Sequence, residues 1–132
     1  MVFNREGSRS APEAETVLLN PLVLSRDPAR ETDEEGCLSF RDARGLLRGD
    51  VERSAAVRVS YVDLAGRERT TEYRGWEGRI FQHEYDHLGG RLLCDRFLPA
   101  DLDRHRARLR DMEDAFVREN PGVEIRRVPA KA

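Results

Sequence analysis

The chain has 132 residues, 36% of them charged, and its 23 Lys and Arg against 25 Asp and Glu leave a net charge of −2. That length suits one domain over residues 1–132. The near balance of interspersed signs excludes a DNA binder or a membrane-surface protein, which need a surplus of one sign. The sequence contains no run of about 18 apolar residues of the kind that could span a bilayer, and Met1 to Ser10 lacks a signal peptide's apolar stretch. Cys37 and Cys94 are the only two cysteines, too few for a secreted disulfide framework, so a cytoplasmic protein with reduced thiols is expected.

Met1-Val2-Phe3 reads as the end of a strand, followed by a polar loop from Asn4 to Glu15. Thr16 to Leu24 is apolar and β-branched but broken by Asn20-Pro21, which places Pro21 at a sheet edge or a bend. Ser25 to Glu34 reads as a charged loop leading into Glu35-Gly36-Cys37-Leu38-Ser39. Ala55 to Val62 sets Val57, Val59 and Tyr61 against Arg58 and Ser60, the alternation of a half-buried strand. Leu64 to Arg67 is a turn and Glu68 to Tyr73 a returning strand, together a hairpin. From Gly75 the period becomes helical, with Trp76, Ile80, His83, His87 and Leu88 in step and Gly89-Gly90 as the stop. A second amphipathic helix follows Pro99, striped by Leu102, Leu109, Met112 and Phe116 and ended by Asn120-Pro121-Gly122. Residues 119–132 are expected to form a flexible tail. Strands followed by two helices make the fold class α+β.

The chemistry concentrates at His83-Glu84-Tyr85-Asp86-His87. Residues four apart on a helix are neighbours on one face, so His83 and His87 can present two imidazoles to one ion. Glu84 is rotated about 100° from His83 and flanks the ion as a base without being a ligand. Two histidines and a poised carboxylate are what metal-assisted hydrolysis needs, an ion to acidify water and a base to take its proton.

A catalytic ion needs a third protein ligand. The extended H-E-x-x-H-x-x-G-x-x-H pattern finds Gly90 in place but ends on Leu93, which cannot coordinate. Glu113 or Asp111 on the second helix could serve as a carboxylate ligand, and Cys37 as a thiolate. Gly36 beside it lets the backbone approach a bound group closely. Cys94 reads as a small buried hydrophobe. A blue-copper site of two histidines and a cysteine would want an axial methionine, and Met1 and Met112 are poorly placed for it.

Glu35-Gly36-Cys37-Leu38-Ser39 and Gln82-His83-Glu84-Tyr85-Asp86-His87-Leu88-Gly89-Gly90 resemble the second and third motifs of the peptide deformylases, and the resemblance runs from about Val17 to Leu98. It implies small antiparallel or mixed sheets packed around a central metal-binding helix, with a C-terminal amphipathic helix. It implies Cys37, His83 and His87 as ligands of a ferrous ion, replaceable by zinc, nickel or cobalt. Glu84 would act as base and then acid, and the backbone N–H of Leu38 would donate to the developing oxyanion. The substrate would be an N-formylmethionyl peptide or nascent chain, with Gly36 and Arg44 on its side of the site.

The family's first motif, G-x-G-L-A-A-x-Q, has no match here, so by comparison with the family the chain starts late and lacks that N-terminal segment. Its glutamine is implied to supply a second oxyanion donor, and losing one such donor typically costs about 10²–10³ in kcat. Arg41 stands where the family often has proline. A metal-binding but catalytically weak relative with a binding or regulatory role is therefore the alternative. In the family the C-terminal helix can dock on the ribosome. Here Arg104, Arg106, Arg108 and Arg110 on the helix from Asp101 to Arg118 suit contact with RNA phosphate, or else form a solvated face with Asp103, Asp111 and Asp114.

Overall fold

The hairpin expected around Gly66 organises the first part of the structure, a computed structural model that describes residues 1–5 and 14–128. Among the described residues seven strands come first: β1 (Val2–Asn4), β2 (Glu15–Val17), β3 (Leu19–Arg26), β4 (Arg30–Asp42), β5 (Gly45–Ser54), β6 (Ala56–Val62) and β7 (Glu68–Arg74). Helix α1 (Gly75–Leu88), a 3₁₀ turn (Leu93–Asp95) and helix α2 (Pro99–Glu119) follow. The fold is α+β, with small sheets and two helices. It divides into two compact units, Met1–Thr32 with Glu52–Leu92, and Asp33–Val51 with Leu93–Ala132. No described helix is long and apolar enough to cross a membrane.

In the first unit β6 and β7 pair antiparallel from Ala56↔Arg74 to Val62↔Glu68. Asp63 closes their turn by accepting from the backbone N–H groups of Ala65 and Arg67, and the Arg67 and Arg69 guanidiniums lie on the same carboxylate. β3 adds to the other side of β6 as the edge of a β3-β6-β7 sheet. The register slips between Leu19 and Leu22, where Asn20 has a φ of 50°. Pro21 thus occupies both an edge and a bend, because the missing N–H would leave a gap in a central ladder. β1 and β2 form a separate pair; the loop expected between them falls mostly on residues 6–13, outside the described residues.

The first unit's core is Phe3, Leu18, Val57, Val59, Tyr73 and Phe81. The Tyr73 and Phe81 rings stack at 5.4 Å, and Phe3 meets Tyr73 edge-on at 5.4 Å. Burial pushes the Tyr73 hydroxyl up to about 12, helped by Tyr61.

Two readings of the strand region need correction. Ser25 to Glu34 is not a loop: β3 runs to Arg26 and β4 begins at Arg30. Only Asp27 to Ala29 turns, with the Asp27 carboxylate accepting the Ala29 N–H. β5 was not anticipated at all. It does alternate, with Leu47, Gly49, Val51 and Arg53 buried and Arg48, Asp50 and Glu52 exposed. A glycine and an arginine at inward positions hide that alternation from hydropathy.

In the second unit β4 and β5 form a two-stranded sheet. Cys37, Leu47, Val51, Leu93, Cys94, Phe97 and Leu109 make its core, with Leu102 and Val128 against it. The α2 stripe fades toward its end, since Leu109 is buried while Phe116 is 45% exposed. Beyond α2, the Val128 N–H donates to Glu113 and Arg127 pairs with Asp114; residues 129–132 lie outside the described residues.

Phe81→Ala is expected to cost about 3–5 kcal/mol, because it removes the ring on which the first core closes. Urea unfolding followed by fluorescence and circular dichroism measures this; a loss under about 1 kcal/mol would refute the central role given to that ring.

Candidate metal centre

Helix α1 begins from an extended Arg74. Its buried side is Gly78, Arg79, Phe81, Gln82 and Asp86. The apolar residues in step with the histidines do not form that side: Trp76 is 55% exposed and Leu88 60% exposed, while Ile80 is only partly buried. The helix is rotated so that Phe81 points inward, with Tyr85 stacked on it at 5.5 Å.

The polar residues of that inner side are all bonded. The Gln82 side-chain nitrogen donates to the carbonyls of Ser54 (2.9 Å) and Gly78 (3.1 Å), and its oxygen accepts from Arg26 at 3.0 Å. Arg79 donates to the Glu31 carbonyl at 2.9 Å. Arg53 and Asp86 form an ion pair at 2.8 Å with side chains only 5% and 9% exposed. None of these partners was singled out from sequence. The available signal was the spacing of Gly78, Gln82 and Asp86, four residues apart on one helix face.

With that side turned inward, His83 and His87 stand half-buried on a neighbouring face. Their ring centroids are 5.0 Å apart and nearly perpendicular, at 87°. The His87 Nδ1 lies 3.0 Å from the Arg91 carbonyl. A carbonyl only accepts, so this nitrogen is the one that donates, and in the neutral ring the lone pair is then on Nε2. Glu84, next to His83, is also half-buried.

The other predicted residues belong to the second unit. Cys37 is buried on β4, 7% exposed. A Cβ at Gly36 would come 2.7 Å from Leu46 Cδ2, so the close approach seen there is by the facing strand β5. The Leu38 side chain is 75% exposed. Arg44 lies at the β4–β5 turn and pairs with Asp42 and Asp111. The hydrogen-bonded Arg108 guanidinium, joined by Arg44, holds the Asp42 carboxyl well below the usual carboxylate range. Glu113, the alternative ligand, accepts from Arg127 and from the Val128 N–H. Cys94 is a free, buried member of the second core, as expected for a small hydrophobe, and burial pushes its thiol up to about 11.

The polypeptide deformylase family model matches residues 1–103. The chain belongs to the polypeptide deformylase family. It is 40% identical over 95 residues to the peptide deformylase of Thermotoga maritima, covering 72% of this chain and 56% of that protein. It is 38% identical over 116 residues to the chloroplastic peptide deformylase 1B of Solanum lycopersicum, covering 88% of this chain and 40% of the relative. The crystal structure of Arabidopsis thaliana peptide deformylase 1B with an inhibitor superposes with a TM-score of 0.84 at 32% identity, over 96% of this chain and 67% of that one. The chain thus spans about half the length of the curated deformylases it matches. The family is metal-dependent.

Replacing Arg53 by methionine is expected to cost about 3–5 kcal/mol, since it leaves the Asp86 carboxylate buried without its partner. The double variant R53M/D86L should recover most of that loss in urea unfolding; equal loss in both variants would show that volume, not charge, decides. Cys94 yields a pH test. Its folded pKa lies above the ordinary value of 9.0, so its contribution is full below about pH 9 and is lost as pH rises toward about 11. Cys94→Ala should therefore unfold with a shallower alkaline decline than the parent chain; identical profiles from pH 8 to 11 would refute this.

Proposed function

We propose that this chain performs the reaction of a peptide deformylase, hydrolysing the formamide of N-formylmethionyl peptides to formate and a free amino terminus. The observation that carries the reading is the histidine pair on one face of α1, with Nδ1 of His87 donating to the Arg91 carbonyl. These residues fit a divalent cation, because each imidazole can offer a lone pair from the same helix face.

Cys37, in the second of the motifs that resemble the family's, is assigned as the third donor beside His83 and His87. A thiolate with two imidazoles suits ferrous iron, zinc, nickel or cobalt, and iron is the choice for the native chain. A cation held there supplies Lewis acidity, which polarises a carbonyl and lowers the pKa of water toward about 7.

The chain's own residues do the rest. Glu84 takes a proton from the attacking water and returns it to the amine nitrogen as the C–N bond breaks. The Leu38 N–H donates to the formyl oxygen as charge develops on it. Gly36 and Arg44 are assigned to the substrate side. A reducing cytoplasm would protect an iron–thiolate centre, and the α2 arginines would supply contacts to ribosomal RNA.

Anaerobically prepared protein should bind one divalent ion and release formate from a formyl-methionyl tripeptide. Glu84→Ala should keep the metal and lose about 10²–10⁴ in kcat. Cys37→Ala should lose the metal and Glu113→Ala should keep it. A metal-loaded chain that releases no formate would overturn the proposed activity.

A further inference from the structure

The turn that ends α1 does more than stop a helix. The Arg91 N–H donates to the Asp86 carbonyl at 2.9 Å and the Gly90 N–H to the His87 carbonyl at 3.1 Å. These are the 6→1 and 5→2 bonds of a Schellman motif, with Gly90 at the position that must be left-handed. Its φ is 69°. The reversal brings the Arg91 carbonyl back over the last helical turn, where it meets Nδ1 of His87 at 3.0 Å. The start of the motif is itself held, because the side chain of Asp86 is paired with buried Arg53.

We infer that Gly90 is a positioning residue of the metal centre, acting through the Arg91 carbonyl. By holding the proton on Nδ1, the turn selects the tautomer that presents Nε2 and fixes the plane of the ring. Neutral imidazole orientation is commonly set by such an outer hydrogen bond. This inference rests on the reading of His87 as a ligand. A Cβ on Gly90 would meet nothing within 4 Å, so substitutions there act through the backbone rather than through a clash.

The other histidines include an internal control. Nε2 of His105 lies 2.7 Å from the Arg48 carbonyl, which demands the opposite tautomer. Long-range ¹H–¹⁵N spectra of the metal-free chain near pH 8 should show His87 protonated on Nδ1 and His105 on Nε2. His87 protonated on Nε2 would overturn the inference without recourse to any variant.

Zinc and cobalt affinities, measured by competition with a chromophoric chelator, supply the second readout. Gly90→Val, whose branched side chain resists a positive φ, should lose the Nδ1 signature and bind about 10–100-fold more weakly. Gly90→Asn, which tolerates the left-handed region, should keep the signature and stay within about threefold of the parent. Unchanged affinity in a folded Gly90→Val chain would overturn the inference, as would an equal loss in Gly90→Asn. A parent chain that binds neither metal would defeat the ligand reading instead, and the tautomer spectra separate that failure from this one.

Discussion

The ion pair between Arg53 and Asp86 governs the placement of α1. Removing a charge from water costs several kcal/mol, and only a close partner of opposite sign offsets it. With both side chains nearly inaccessible, the helix cannot rotate or slide without drawing a buried carboxylate away from its Arg53 partner. Gln82 and Arg79 add hydrogen bonds to the carbonyls of Ser54 and Glu31, so the same helix face is secured at three levels. His83 and His87 inherit their placement from this arrangement, since Asp86 lies three residues after one and immediately before the other.

Polar anchoring explains why a helix with so little apolar content is stable in place. Phe81 is its one fully buried large side chain, and Tyr73 and Tyr85 sandwich it. The remainder of the inner face is bonded rather than greasy. Such a face is more directional than an apolar one, because hydrogen bonds fail with small rotations where dispersion contacts do not. A helix that must aim two imidazoles benefits from that directionality.

The second unit treats its two thiols within a single core. Cys37 and Cys94 both belong to the cluster built around Leu47, Val51, Leu93, Phe97 and Leu109. Burial pushes the Cys94 thiol up to about 11, further from forming a thiolate, which suits a packing role. The charged network at the β4–β5 turn is external to this core: Arg44 and Arg108 converge on Asp42, and Asp111 fastens Arg44 to α2. On α2 itself Arg104 pairs with Asp101 and Arg106 with Asp103, so much of its positive charge is locally balanced.

Local chemistry was enough, from the sequence alone, to find the histidine pair, the glycine stop after it, the β6–β7 hairpin and the bend at Pro21. Each depends on residues a few positions apart, where spacing and backbone preference act directly. The motifs around Cys37 and His83 were likewise legible as a family resemblance. β5 and the inner face of α1 were not, because Arg53, Arg79, Gln82 and Asp86 are buried against hydropathy's expectation. What makes their burial tolerable is a partner in another element, such as Arg53 for Asp86 or the Ser54 carbonyl for Gln82. Only the tertiary structure supplies those partners, and with them it decided that Trp76 faces solvent, that Phe81 closes the core, and that the carbonyl of Arg91 returns to His87.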